Sequence, residues 1–279
     1  MPNLYIYTFE LLVFAIFGLC LYHAWKTGGP AVWQLLSGCA FGLLLELATI
    51  RQFHAYSYAP FPIMVLDVPL VIGLAWGCMI YSARIYSNAT TLPEWARPLL
   101  DALFVLNIDL SIDAISIRLG FWNWGQSLQS EYFGVPYANF LAWFWVVFCF
   151  SAGLRLFVHR WGWVGRWLAP LLALGIGMLG LLFTDVMTTV WVTRASNDIT
   201  AGGVILVALG VVLGLRPHLK SRPAALTGWV PSLVHLYFLA AGLISGVLLD
   251  IPFLLAVSLL MFLVSLFIHR PKKVLAASI

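Results

Sequence analysis

Residues 230–268 read VPSLVHLYFLAAGLISGVLLD-IP-FLLAVSLLMFLVSLFI, with Asp250 as the one acidic residue and no lysine or arginine. A single helix over this stretch would be roughly 58 Å long at 1.5 Å per residue, about twice the hydrocarbon thickness of a bilayer. Asp250, Ile251 and Pro252 interrupt it, and proline cannot continue a helix from the preceding turn. The stretch therefore predicts two membrane crossings, 230–249 and 252–268, joined by a tight turn.

Working outward from that pair, apolar runs of roughly 17–25 residues, long enough to span as helices, recur at 5–22, 32–49, 65–81, 99–119, 139–158, 167–191 and 199–215. The expected fold is an all-α polytopic bundle of about nine transmembrane helices, one transmembrane domain over residues 1–279 without an internal repeat. Composition agrees. Hydrophobic residues make up 62% of the chain and charged residues 9%, against about 25% charged in soluble domains. Mean hydropathy is +0.95. So few charges cannot cover a water-facing surface, which points to a multi-pass protein of the cell membrane with the lipid bilayer as its partner.

Loop charges test the count. With nine crossings, Lys26, Arg84, Arg97, Arg155, Arg160, Arg166, Arg216, Lys220, Arg222, Arg270, Lys272 and Lys273 fall on one side, and Arg51, Arg118 and Arg194 on the other. This 12 to 3 split predicts an outside N-terminus and a cytoplasmic C-terminus. The basic residues form no aromatic-interleaved patch, so no nucleic-acid partner is expected. Cys20, Cys39, Cys78 and Cys149 lie in apolar runs without a CxxC, as small core residues do. No lysine or arginine precedes the apolar run at Tyr5, which reads as a retained helix rather than a signal peptide.

Ionisable side chains inside membrane helices are costly and mark functional sites unless they are paired. Glu46 lies near the outer end of the second helix, Asp67 at the outer start of the third, Asp109 and Asp113 in the outer half of the fourth, and Asn139 opens the fifth. Glu10 and Asp185 lie in the first and sixth helices, and Asp101 alone sits at the cytoplasmic end of its helix. If the helices bundle, the outer acids share one mostly apolar cavity. Two loops face it, residues 51–58 (RQFHAYSY) and the stretch from 120–124 (GFWNW) to 131–136 (EYFGVP). They bring Tyr56, Tyr58, Trp122, Trp124 and Tyr132 beside Arg51 and Arg118. The plainer alternatives are an interfacial aromatic belt and acid–arginine pairs that only fix helix packing.

Asp109 and Asp113 are four residues apart, about 40° around one helix face. Carboxylates that close cannot both ionise cheaply in a low-dielectric site, which leaves a protonated acid beside an ionised base. That pairing suits proton transfer to a weak base such as an alkene. Other chemistries lack their parts: there is no histidine box, no P-loop and no GxSxG elbow.

Helices two to five resemble a family of membrane carotenoid biosynthesis proteins that includes bisanhydrobacterioruberin hydratase and the gamma-carotene 1',2'-hydratases. The resemblance covers about residues 38–150. It rests on Glu46 with its arginine and aromatic loop, 67–76 (DVPLVIGLAW), 109–113 (DLSID), 118–124 (RLGFWNW) and 132–143 (YFGVPYANFLAW). The chain departs at Ala114, where the family usually has proline, and at Ala142, where it has glycine. The later helices match only in hydropathy. The resemblance implies a lyase of the hydratase type that adds water to the terminal double bond of an acyclic carotenoid. No metal or redox cofactor is implied, and the partner is a lipophilic polyene or isoprenoid. It also implies Asp113 or Asp109 as the acid, with Glu46 and Asp67 as partners, and Arg51, Arg118, Asn139, Tyr56, Trp122, Trp124 and Tyr132 as groups that position substrate and water.

Two rivals use the same residues. One is another isoprenoid enzyme. It is either a cyclase started by protonation or a Mg²⁺-dependent prenyltransferase, in which Asn107, Asp109 and Asp113 would form an aspartate-rich motif. The other is a transporter or binding protein with the acids as a proton relay.

Overall fold

The structure, a computed structural model, describes residues 4–158, 162–193 and 196–270. Arg160, Arg194, Lys272 and Lys273 of the charge tally, and the C-terminal end whose side was predicted, lie outside the described residues. Ten α-helices follow one another: α1 (Leu4–Thr27), α2 (Gly29–Arg51), α3 (Leu70–Asn88), α4 (Arg97–Arg118), α5 (Tyr137–Val158), α6 (Gly162–Val186), α7 (Asn197–Gly214), α8 (Leu226–Ile244), α9 (Val247–Asp250) and α10 (Pro252–Ile268). A π-helical turn at Met187–Trp191 continues α6.

Each of the nine expected segments falls on a helix, with two shifts. The third begins at Leu70 rather than residue 65, because residues 64–69 fold back as a hairpin of β2 (Met64–Val65) and β3 (Val68–Pro69). Leu66 turns the hairpin at φ 57°, and Pro69, with no N–H to offer, caps the helix. The α8–α10 turn starts early, since Gly246 takes φ 84°, a conformation open to glycine, and α9 is a single turn before Ile251. Seven helices are long and apolar enough to cross a bilayer, which makes the chain a multi-pass membrane protein. The three others are α4, which carries Arg97, Asp101, Asp109, Asp113 and Arg118, the four-residue α9, and α10, which has only 17 residues.

Two packing features position the site. Gly38 and Gly42 on α2 meet Gly73 and Gly77 on α3, small residues four apart on both helices, the spacing that lets membrane helices approach closely. A Cβ on Gly42 would lie 2.4 Å from the Trp76 Cβ, and one on Gly77 would lie 2.8 Å from the Cys39 backbone nitrogen. The close approach brings Trp76 against α2 one turn from Glu46. Far from there, near the start of α4, Arg155 Nη1 pairs with Asp101 Oδ2 at 2.8 Å. Ser151 Oγ donates to the same carboxylate at 2.5 Å, and Arg155 Nη2 reaches Ser87 Oγ at 2.7 Å. This buried pair ties α3, α4 and α5 together.

Candidate active site

Two loops close the bundle above the outer acids. β1 (Ser57–Tyr58) pairs antiparallel with β4 (Trp122–Asn123), setting Tyr58 opposite Trp122, with ring centroids 5.8 Å apart. Arg118 shapes the second loop by donating to the carbonyls of Ala114, Leu128 and Phe133 at 2.7–2.9 Å. Gly134 takes φ 88°, and a Cβ there would meet Leu128 Cα at 2.9 Å.

Beneath this cover lies a narrow cavity bounded by α1, α2, α3, α4, α5 and α8. Its wall is apolar and aromatic except at one end, where Glu46, Asp109 and Asp113 converge with Asn139, Tyr56 and Tyr58. All three carboxylates are buried. Glu46 accepts from the Tyr56 hydroxyl, from Tyr58 Oη at 2.7 Å and from Trp76 Nε1 at 2.7 Å. Asp113 accepts from Trp122 Nε1 at 2.6 Å and from Asn139 Nδ2 at 2.8 Å. Asp109 accepts from the same amide at 3.1 Å, and its Oδ1 has no hydrogen-bond partner among the described residues. One asparagine thus holds two carboxyl groups together. Burial, and then the Glu46 charge, push the Tyr56 and Tyr58 hydroxyls well above the usual phenol range, so both stay protonated donors at neutral pH.

Among the described residues no lysine or arginine lines this cavity. Arg51 pairs with Asp67 at 2.6 Å, both half exposed, because the β2–β3 hairpin carries Asp67 out to its turn. Neither reaches the cavity. Arg118 is spent on backbone carbonyls, and Tyr132 donates to the Leu110 carbonyl at 2.7 Å, so these two support the loop instead. Tyr56, Trp122 and Trp124 from the loops, and Asn139 from the first turn of α5, line the cavity. Asn107 does not join Asp109 and Asp113. It faces the other side of α4, with His235 Nε2 3.1 Å from its Oδ1 and Met261 O 3.2 Å from its Nδ2. Ser111 Oγ holds the same histidine at 2.8 Å, clamping α8 to α4.

Sequence reasoning missed several wall residues. Trp76 is a direct partner of Glu46, and the paired glycine spacing on α2 and α3 was the available signal. Trp143 packs on Trp76 with centroids 4.3 Å apart. Phe9, Val13, Val234 and Phe238 come from α1 and α8, and only the tertiary packing brings them in.

A membrane bundle whose buried carboxyl groups face an apolar, aromatic slot is what an enzyme acting on a long hydrocarbon requires. The sequence profile described as carotenoid biosynthesis protein matches residues 3–217. The chain belongs to the carotenoid biosynthesis protein family. This membership implies a biosynthetic enzyme with an isoprenoid substrate, and it reaches beyond the 38–150 block to α1, α6 and α7. No curated protein and no solved structure matches the chain. The α8 residues on the cavity wall lie outside the matched span, so within this carotenoid biosynthesis protein they are the part of the site the family profile does not describe.

Proposed function

We propose that this protein is a hydratase that adds water across the terminal C=C bond of an acyclic carotenoid. The carrying observation is three buried carboxyl groups at one end of an apolar slot, held by neutral N–H and O–H donors and no cation. Such donors stabilise an ionised carboxylate in proportion to their number. Glu46, with three, is assigned the ionised base. Asp109, with a single shared amide and a free Oδ1, is assigned the proton, with Asp113 as its partner.

In the proposed reaction Asp109 protonates the less substituted alkene carbon, the π electrons form the new C–H bond, and a tertiary cation remains. The faces of Trp76, Trp143 and Phe238 stabilise that cation. Water held at Glu46 adds to it and gives its proton to the carboxylate, and return of that proton to Asp109 restores the site, so the net change is alkene plus water to tertiary alcohol. Oxidation states balance without a redox partner. Asn107 turns away from Asp109 and Asp113 toward His235 and Met261, so the three do not form the aspartate-rich motif, which favours hydration over prenyl transfer. The aromatic wall also favours a second reading, a cyclase in which an internal alkene captures the same cation.

The test is product analysis in cells or membranes supplying an acyclic carotenoid. A product heavier by one water, labelled when made in H₂¹⁸O, supports hydration, while a ring-containing hydrocarbon isomer supports the cyclase. Oxygen drawn from O₂ would sink both. Nine crossings with an outside N-terminus belong to the same proposal, supported by the charge split. Reporters within residues 127–131 and beyond Lys273 should read opposite faces.

A further inference from the structure

Hydration needs one water at the cation, and an apolar slot does not supply it. A second, more open cleft lies between α2, α5 and α6, under the loops at residues 53–56 and 124–126. Its character differs from that of the slot. Thr49, Gln126, Thr184, Asp185 and Thr188 line it. The Asp185 carboxylate is half-buried and makes no hydrogen bond or ion pair to a described residue, although Thr188 and Thr189 bond its carbonyl. Ionisable side chains within a membrane bundle pair with one another or face a water-filled cavity. Directly after it, α6 loosens into the π turn at Met187–Trp191, a feature frequent at functional sites.

The two cavities meet at one partition. Glu46, Tyr56, Trp76, Trp124, Asn139 and Trp143 line both, whereas Asp109 and Asp113 face only the slot. The assigned proton donor therefore sees only the hydrocarbon side, and the assigned base sees both sides.

Resting on the hydratase reading, we infer that the α2–α5–α6 cleft is the water supply of this site, delivering solvent past Thr188 and Thr184 to Glu46 while the acids stay in the dry slot. The cation formed in the slot then has two fates. Water from the cleft gives the tertiary alcohol. Without water, a C–H bond of an adjacent methyl group breaks, its electron pair forms a new C=C bond, and the proton passes to Glu46. The product is then an isomeric alkene with a methylidene end.

The first experiment asks whether the cleft is wet, whatever the reaction. In full-length protein in membranes, a small charged thiol reagent should modify Thr188→Cys and, more slowly, Thr184→Cys, but neither the unaltered protein nor the slot variant Ile72→Cys. Cleft cysteines as unreactive as Ile72→Cys would overturn the inference. The second fills the cleft from either wall with Ala142→Phe or Thr188→Phe, two separate changes so that misfolding of one does not decide the matter. Alcohol output should fall about tenfold, the scale of one lost hydrogen-bonded partner to a charged group, while the methylidene isomer rises in share. Unchanged alcohol output, or equal loss of alcohol and isomer, would overturn the water assignment. Absence of alcohol from the unaltered protein would instead refute the hydratase reading, with the thiol labelling still deciding whether the cleft carries water.

Discussion

α4 carries buried acids at both ends, and the two ends are built on opposite principles. Near its start, Asp101 is fully buried and pairs with Arg155 at 2.8 Å. Twelve residues on, roughly 18 Å along the helix, Asp113 is just as buried and faces Asp109 and Glu46 with no cation on the cavity wall. A buried carboxylate beside a guanidinium is held in one charge state and serves as a rivet. Carboxyl groups held only by indole, phenol and amide donors keep both charge states within reach, and proton transfer needs both. Burial alone therefore does not mark the reactive acid. The chemistry of its partners does.

The largest expected effect follows directly. Replacing Asp109 with asparagine keeps its shape and removes the transferable proton. Because general acid–base groups contribute about 10²- to 10⁴-fold in rate, carotenoid conversion should drop within that range while the thermal midpoint in detergent holds. Full activity in both Asp109→Asn and Asp113→Asn would mean that the reactive acid lies elsewhere. The rivet should behave in the opposite way. Arg155→Ala strands Asp101 in the interior, and breaking a buried pair costs about 3–5 kcal/mol. The midpoint should fall steeply, with the rate per folded molecule kept. Asp101→Leu combined with Arg155→Met should recover most of the loss, because well-packed apolar replacements of buried pairs are often neutral. If the double variant stayed as unstable as Arg155→Ala, the pair would be more than a rivet.

A smaller effect belongs to the group that joins packing to chemistry. Trp76 donates to Glu46 at 2.7 Å and lies against the Gly42 backbone. Trp76→Phe keeps the aromatic face and removes one donor to a charged group, worth about 1.5–3 kcal/mol, so the rate should fall about tenfold to a hundredfold. An equal fall in Trp143→Phe would argue that both indoles act only through their faces, since Trp143 is not bonded to Glu46.

The sequence made the helical segments and the acids at one depth legible, because hydropathy and a misplaced charge are local signals. Asp109, Asp113, Glu46 and Asn139 were named together for that reason, and the structure brings those four to one wall. Asp67 shared their depth in the linear reading, but residues 64–69 form a hairpin, and a Val-Pro pair at the head of an apolar run gives little hint of that. The loops and the family resemblance set Arg51 and Arg118 beside the acids, whereas their actual partners, Asp67 on the hairpin turn and three backbone carbonyls, are invisible in a sequence. The walls from α1 and α8 were illegible for a different reason. Phe9 and Phe238 are ordinary apolar residues in ordinary apolar helices, and only tertiary packing, with their rings 5.6 Å apart, turns them inward.

The smallest expected effect tests the other edge of the comparison. Arg51 and Asp67 form the shortest ion pair among the described residues at 2.6 Å, which on distance alone ranks above the Asp101–Arg155 rivet. Both side chains are 51% exposed, and water competes for each charge. Exposed pairs contribute about 0–1 kcal/mol, further reduced by salt. Arg51→Ala should thus shift the thermal midpoint little, and raising the ionic strength should shrink even that shift. Conversion should stay near that of the unaltered protein, because neither residue reaches the slot. If Arg51→Ala instead lost activity as strongly as Asp109→Asn while remaining folded, the β2–β3 hairpin would have to move over the site during the reaction. Asp67 would then regain the place among the reactive acids that its position in the sequence suggested.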